Sequence, residues 1–288
     1  MSKGLLDPKV DFVFKNIFGS PNHPEILISF LNATLKPKRK IVNVDIKKTD
    51  IEKQYIEDKY SRLDVKATTS NDEIINIEIQ LKNENNMVKR SLYYLSKMYE
   101  EQLNEKEDYS KLARTVCINI LNFKYLKTNN FHTGYRFKEI ESNEELTDIM
   151  EVHFIEIPKL QDSSDEKDML VAWTEFLKDP ESEKVRGLEL SVEEIRQAKD
   201  ELIRMSNDKK QRELYDMRAN SLRDKISELN AAERKGIEKG KKEGRKEGIE
   251  EGRKEEKIKI ARNMKLSGLD TDTIANITNL SPDEIDKL

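Results

Sequence analysis

Apolar residues along the first 160 or so positions switch between two periods, one helical and one strand-like. Asp7-Pro8 reads as a helix start, with an acceptor side chain at the cap and proline in the first turn. Val10, Phe14, Ile17 and Phe18 follow at helical spacing. A second helix is predicted over Pro24–Leu35, burying Ile26, Leu27, Phe30 and Leu31 and ending before Pro37. Alternation then takes over in Ile41–Ile46, in Arg62–Thr68 and most clearly in Ile74–Leu81. Thr69-Ser70-Asn71-Asp72-Glu73, rich in turn formers, joins the last two as a β-hairpin. A helix over Val88–Asn104 carries Leu92, Leu95 and Tyr99 along one side, and Thr115–Phe123 and Val152–Ile157 are nearly continuous apolar runs of buried-strand type. The order, with its strand–helix–strand crossover, predicts an α/β fold: a mixed sheet flanked by helices, followed by an all-helical C-terminal extension.

After Asp165 no convincing strand remains and strong helix formers dominate. Residues 209–235 are almost all charged or small. Gly236, Gly240, Gly244, Gly248 and Gly252 then repeat every four residues among Lys, Arg, Glu and Ile. The tail regains an amphipathic pattern. A helix runs to Leu266, a turn lies at Ser267-Gly268, a helix passes through Ile274–Ile277, and Ser281, Pro282 and Glu284 start another with a capping box. These shifts predict a sheet domain over 1–163, a helical extension over 164–235, the glycine repeat over 236–256 and a small helix-turn-helix-like unit over 257–288.

Charge refines this picture. Charged residues make up 38% of the 288 and aromatic ones 7%, so part of the chain is expected to be solvated helix rather than core. A net charge of -4 excludes a uniformly basic nucleic-acid binder but leaves room for a local basic groove. One cysteine, Cys117, leaves no intramolecular disulfide to form and suits a reducing compartment. With no run of about 20 apolar residues and no signal-peptide pattern, the expectation is a cytoplasmic protein without a membrane partner.

Parity singles out the hairpin. In its first strand Leu63, Val65 and Ala67 face one way and Arg62, Asp64 and Lys66 the other; in the second, Ile75, Ile77, Ile79 and Leu81 oppose Asn76, Glu78, Gln80 and Lys82. If both apolar sets share the core, Asp64 pairs with Glu78 or Gln80, leaving turns of about three or five residues. The Asp64 and Glu78 β-carbons then stand about 4.5–8 Å apart on one polar face. Two carboxylates so close repel unless a cation joins them or one is protonated. Magnesium, with manganese as its alternative, suits such a pair because it takes one or two carboxylates and keeps several waters. Gln80 would orient a water, and Lys66 and Lys82 would hold phosphates. The competing reading is a solvated sheet face on which Asp64 and Glu78 merely neighbour Arg62, Lys66 and Lys82.

Ser61-Arg62-Leu63-Asp64-Val65 followed by Asn76-Ile77-Glu78-Ile79-Gln80 resembles the Asp…(Asp/Glu)-x-Lys core of the PD-(D/E)XK nucleases. More narrowly it resembles the Rpn group of recombination-promoting nucleases, often described as transposases. Asp11-Phe12-Val13-Phe14-Lys15, Arg90-Ser91-Leu92-Tyr93-Tyr94 and the glycine-repeat tail add to the likeness, which covers residues 5–160 well and the tail loosely. The resemblance implies metal ligation by Asp64, Glu78 and the Ile79 carbonyl, with DNA as substrate. It also matches Asp11 to an acidic residue placed beside the metal on the first helix; the rival reading is a surface carboxylate near a helix N-terminus. The departure is Gln80, which stands where the superfamily has lysine and cannot supply a lysine's charge.

His23, His132 and His153 share no metal-ligand spacing, and Cys117 reads as a buried small hydrophobe. Arg90, Tyr93, Tyr94 and Lys97 share or border one helix face, either contacting a DNA backbone or packing their rings beneath the sheet. The glycine repeat reads as a helix that orders by self-association or docking, or as a solvated linker; a homo-oligomer through the C-terminal helices is expected. Asp270, Asp272, Asp283, Glu284 and Asp286 favour packing or dimerisation over groove insertion for the tail. The expected activity is metal-dependent endonucleolytic hydrolysis of DNA, linked to recombination or mobile elements. The alternative is a catalytically weak or inactive nuclease fold serving as a DNA-binding or regulatory oligomer.

Overall fold

A computed structural model describes residues 4–47, 65–165 and 167–288. The chain forms two compact units, Met1–Ser221 and Leu222–Leu288. The first begins with helices α1 (Asp11–Phe18) and α2 (Pro24–Leu35), then strands β1 (Val44–Lys47), β2 (Val65–Thr69) and β3 (Ile74–Gln80). Helix α3 (Met87–Glu100) crosses over to β4 (Thr115–Leu121), and β5 (His132–Lys138) and β6 (Glu145–Glu156) follow. Helices α4 (Met169–Lys178), α5 (Glu183–Glu189) and α6 (Glu193–Asn207) precede the long α7 (Lys209–Leu266), which begins in this unit. The six strands run in the order β1-β2-β3-β4-β6-β5. The first three pair antiparallel, β3, β4 and β6 are parallel, and β5 returns antiparallel to β6. This is the expected mixed sheet flanked by helices.

Period-2 alternation puts Val65, Ala67, Ile75, Ile77 and Ile79 on one face, where Val116, Ile118, Ile120 and Ile155 join them. Phe14, Ile17 and Phe18 of α1 and Ile26, Leu27 and Phe30 of α2 cover that face. So do helices from the stretch that composition sets apart as an extension: Leu170, Trp173 and Phe176 of α4, and Ile195 and Leu202 of α6, are buried in the same core. Trp173 meets Phe18 edge-on at 5.3 Å between ring centroids and donates its indole N–H to Ser29 Oγ at 3.2 Å. The other face of the sheet is roofed by α3.

Five elements depart from expectation. Helix α1 starts at Asp11 rather than at Asp7-Pro8, because Asp7 makes a turn instead, taking the Lys9 amide on its carboxylate and the Val10 amide on its carbonyl. The strand read over Ile41–Ile46 is confined to Val44–Lys47. The buried stripe of α3 is Met87, Ser91, Tyr94, Leu95 and Met98, leaving Leu92 exposed; a buried serine hides the period from a count of apolar residues. Finally, β5 is not among the predicted strands, having only Tyr135 and Phe137 as large apolar residues, and β6 begins at Glu145 instead of Val152. The outer part of this hairpin is exposed, with Tyr135, Phe137 and Leu146 facing solvent, so burial imposes no period on it.

The inner part of the hairpin holds two of the histidines. His132 Nε2 and His153 Nδ1 are 2.9 Å apart, their rings stack, and His153 Nε2 lies 2.7 Å from Glu151 Oε1. Arg114 and Arg136 close on the same Glu151 carboxylate, and Arg114 also reaches Glu73 at 2.9 Å. Gly134, opposite His153, makes room for the ring: a β-carbon there would lie 3.0 Å from His153 Cε1. Burial, reinforced by His153 and Lys36, pushes the His132 pKa down to about 4. Burial works against the charge on Glu151, yet His153 and Arg114 hold its pKa down at about 2.

In the second unit α7 continues to Leu266, a turn at Gly268 (φ 84°) follows, and α8 (Thr271–Thr278) and α9 (Pro282–Asp286) close the chain. Ala261, Ile274, Leu280 and Ile285 form a small core, and Ser281 and Glu284 complete the expected capping box. The repeated glycines all lie within α7, and a β-carbon on any of them would meet nothing within 4 Å. No contact among the described residues therefore demands glycine there. None of the described helices is long and apolar enough to cross a membrane.

Trp173→Ala should destabilise the first unit by about 3–5 kcal/mol, as deletion of a buried aromatic does; a smaller loss in urea unfolding would detach α4 from the sheet core. His132 has its folded pKa below the unfolded value near 6.5, so the unfolded chain binds the extra proton first. The stability this group contributes is complete above pH 6.5 and is lost as pH falls toward 4. His132→Gln should flatten that slope in unfolding series between pH 7 and 4.5, whereas an unchanged slope would clear His132 of responsibility.

Candidate metal centre

Each strand face needs a cover, and the polar face of β3 receives one from α3. Asn76 and Glu78 are each fully buried, while Gln80 at the strand end is half-buried. At Glu78 the polar face is therefore not the solvated one considered from the sequence. A carboxylate withdrawn from water is costly unless a positive charge accompanies it. Among the described residues Arg90, on the first turn of α3, supplies one: its Nη2 lies 3.2 Å from Glu78 Oε2. The same guanidinium has Nη1 3.9 Å from Glu84 Oε2 and its carbon 5.3 Å from the centre of the Tyr94 ring.

Buried polar groups from the neighbouring strand continue behind Glu78. In the parallel register Glu78 lies beside Asn119 and Asn76 beside Cys117. Asn119 Oδ1 accepts the Ser91 hydroxyl at 2.8 Å, and its amide donates to the His153 carbonyl at 3.1 Å. Ser91 thereby ties α3 to the strand next to Glu78, which explains a hydroxyl on a buried helical stripe. Burial pushes the Cys117 thiol pKa up to about 12, and the nearby Glu78 carboxylate adds to the shift. The thiol is an inert neutral group, as the sequence suggests.

The predicted site residues are distributed unevenly. Asp64, together with Arg62 and Leu63, lies outside the described residues. From the next position the hairpin has Val65 opposite Ile77 and Lys66 opposite Asn76. That is the register in which the two apolar sets share one core. Gln80 is on the same face as Glu78, two residues along the strand. Its carbonyl accepts the Asn122 amide at 2.9 Å on the β4 side, so the alternating backbone aims the Ile79 carbonyl toward β2. Lys66, also on this face, has its ammonium 3.8 Å from Glu101 at the C-terminal end of α3, and Lys82 is half-buried just past β3. Arg90, expected at a DNA backbone, is engaged with Glu78 instead. Of its helical neighbours, Tyr94 is buried with Met98 while Tyr93 is exposed.

Asp11 stands apart. Helix α1 packs in the core on the other face of the sheet, and the exposed Asp11 carboxylate pairs with Arg218 at 3.0 Å and accepts the amide of the adjacent Phe12. Those contacts favour its reading as a surface carboxylate near a helix N-terminus.

The donor set fits a hard cation. Glu78 contributes a carboxylate and Ile79 a backbone carbonyl, both oxygen, and the soft Cys117 and the engaged histidines offer no competing centre. Among the described residues no group of three His, Cys, Asp or Glu side chains is placed to hold a metal by itself. A complete centre would therefore need a further carboxylate from outside the described residues. Neither the Glu78–Arg90 pair nor the Ser91–Asn119 tie was read from the sequence; arginine twelve residues beyond a strand carboxylate has no periodic signature.

Comparison with known families bears on the same residues. The model of the PD-(D/E)XK nuclease family transposases matches residues 8–232, well over half of the chain. A second model, the C-terminal HTH domain of the Rpn/YhgA-like nuclease family, matches residues 254–288 and so covers α8, α9 and the end of α7. No curated protein and no solved structure matches the chain.

Proposed function

The chain belongs to the PD-(D/E)XK nuclease family transposases, and from that premise we propose that it is a divalent-metal-dependent DNA endonuclease whose centre is formed by Asp64, Glu78 and the Ile79 carbonyl. The observation that carries this reading is the fully buried Glu78 at the edge of a polar sheet face, in a hairpin whose register is Val65 opposite Ile77. One further step of that ladder would set Asp64 against Glu78, and opposed side chains share a face. Burying a carboxylate without benefit to stability or function is unfavourable; placing two where an ion can join them gives the burial a purpose. Magnesium held there, with manganese as a substitute, would polarise a phosphoryl oxygen and acidify a nearby water.

This chain's residues then have separable tasks. Gln80, on the face of Glu78 and nearer solvent, accepts a hydrogen bond from the attacking water on its amide oxygen and fixes the direction of approach. Lys66 and Lys82 flank the centre and hold backbone phosphates as point charges. In the reaction the water oxygen bonds to phosphorus and releases a proton to solvent, the bond from phosphorus to the sugar oxygen breaks, and the departing oxygen takes up a proton from solvent. Gln80 gives no positive charge to the transition state, so the cleavage is expected to be slow. DNA is the substrate favoured by the transposase family and by the matched HTH segment. Hydrolysis alone satisfies this centre; joining of ends would need further groups.

Purified full-length protein should nick supercoiled plasmid with magnesium or manganese and not with EDTA. Asp64→Ala and Glu78→Ala should each reduce the rate by at least about 100-fold, the scale on which loss of transition-state charge stabilisation acts. Nicking that survives both substitutions would remove the centre. Salt-sensitive DNA binding with no metal-dependent cleavage would replace it with a non-catalytic DNA-binding role.

A further inference from the structure

The Glu78–Arg90 pair has a property that neither partner has alone. Glu78 is fully buried, and withdrawing its carboxylate charge from water is costly unless a cation accompanies it. Arg90 meets that need through one end of its guanidinium, at 3.2 Å. Its other end is already within 3.9 Å of Glu84, and its flat face lies over the Tyr94 ring at 5.3 Å. The Arg90 side chain is 23% exposed and the Glu84 side chain 30%, so this second station is at the solvent boundary rather than in the core. The α3 backbone beneath is anchored, the Arg90 amide bonding to the Asn86 carbonyl at 2.9 Å, and both carboxylates lie within reach of the one guanidinium. Glu84 and Tyr94 together offer what a displaced guanidinium requires: a carboxylate and an aromatic face.

We propose that Arg90 is an exchangeable counter-ion: it neutralises Glu78 in the metal-free protein and yields that carboxylate to the arriving divalent ion, moving onto Glu84 and Tyr94. This inference rests on the reading of Glu78 as a metal ligand. A guanidinium and a divalent cation repel, and both seek the same carboxylate oxygens, so occupancy by one opposes the other. The exchange keeps the buried carboxylate neutralised throughout and prevents an empty centre from destabilising the fold. It also sets a threshold, because metal must displace a bound cation rather than enter a vacant site. Arg90 is a positioning residue in this account, acting through Glu78 and not on substrate.

The exchange predicts an effect opposite to that of ordinary damage. Manganese binding to the full-length protein, followed by the paramagnetic resonance of the free ion, should tighten about tenfold or more in Arg90→Gln, because the competitor is gone. A defective scaffold would bind metal more weakly. Thermal unfolding without metal should show Arg90→Gln less stable than wild type and stabilised more by added manganese. The double variant Arg90→Gln with Glu78→Gln should recover much of the metal-free stability, since the buried carboxylate charge and the Arg90 charge are then removed together. Unchanged or weaker manganese binding in Arg90→Gln overturns the proposal. If that variant does not fold, Arg90→Lys replaces it: the ammonium holds a carboxylate less well, so binding should tighten about threefold, and no change overturns the proposal equally. Glu78→Gln separates the two claims. If it leaves manganese affinity untouched, the metal reading of Glu78 has failed; if it abolishes binding while Arg90→Gln has no effect, only the exchange has failed.

Discussion

A carboxylate with no access to water is the constraint around which this fold is organised. Glu78 is held in the second strand of a hairpin, between a β-strand that is buried on both faces and a helix that seals it. Withdrawing such a group from solvent costs several kcal/mol even after the protein relaxes around it. Everything nearby answers to that cost. Arg90 brings a positive charge down from α3, Asn119 and Ser91 lock the helix onto the adjacent strand, and Cys117 stays a neutral thiol in the field of the carboxylate. An ordinary core would place leucine or isoleucine at this position, as it does at Ile77 and Ile79 on the opposite face. A glutamate there is instead held against the Arg90 guanidinium.

The two faces of the sheet thereby divide the labour. One is an apolar layer packed against α1, α2, α4 and α6, and it fixes the register of the hairpin to a single solution. The other carries the polar groups, and its alignment follows from the first: once Val65, Ala67, Ile75 and Ile77 share the core, the alternate side chains Lys66, Asn76 and Glu78 must point to the α3 side. Helices beyond residue 163 contribute Trp173, Phe176 and Leu202 to the apolar layer, so the sheet depends on them for burial of its inner face. Membership of the PD-(D/E)XK nuclease family transposases accounts for this arrangement of sheet and flanking helices.

The sequence discloses the features that follow a period. The hairpin, its parity, the parallel crossover and the helical tail with its capping box are all visible as alternation, spacing or cap residues. Features without a period are not. Strand β5 escapes because Tyr135 and Phe137 are its only large apolar residues and both are exposed, and the stripe of α3 is obscured by a serine buried for its hydroxyl. The histidine pair is hidden for another reason. His132 and His153 are brought together by the antiparallel register of a hairpin that the sequence does not reveal, so two residues with no local spacing meet across strands. Arg90 shows the same limit at the site itself. The likeness to known nucleases draws attention to it as a basic residue, but only tertiary packing shows that it faces a carboxylate inside the protein. Asp11 is the converse case, a residue suggested by resemblance whose position on the far layer pairs it with Arg218 instead.

Anomalous diffraction at the manganese edge, from crystals of the full-length protein grown with manganese, tests the central claim most directly. A peak bridging the Asp64 and Glu78 carboxylates, within about 2.0–2.3 Å of an oxygen of each as hard-cation coordination requires, is the predicted result. Manganese located elsewhere, with Asp64 directed away from an ordered Glu78, would contradict the account.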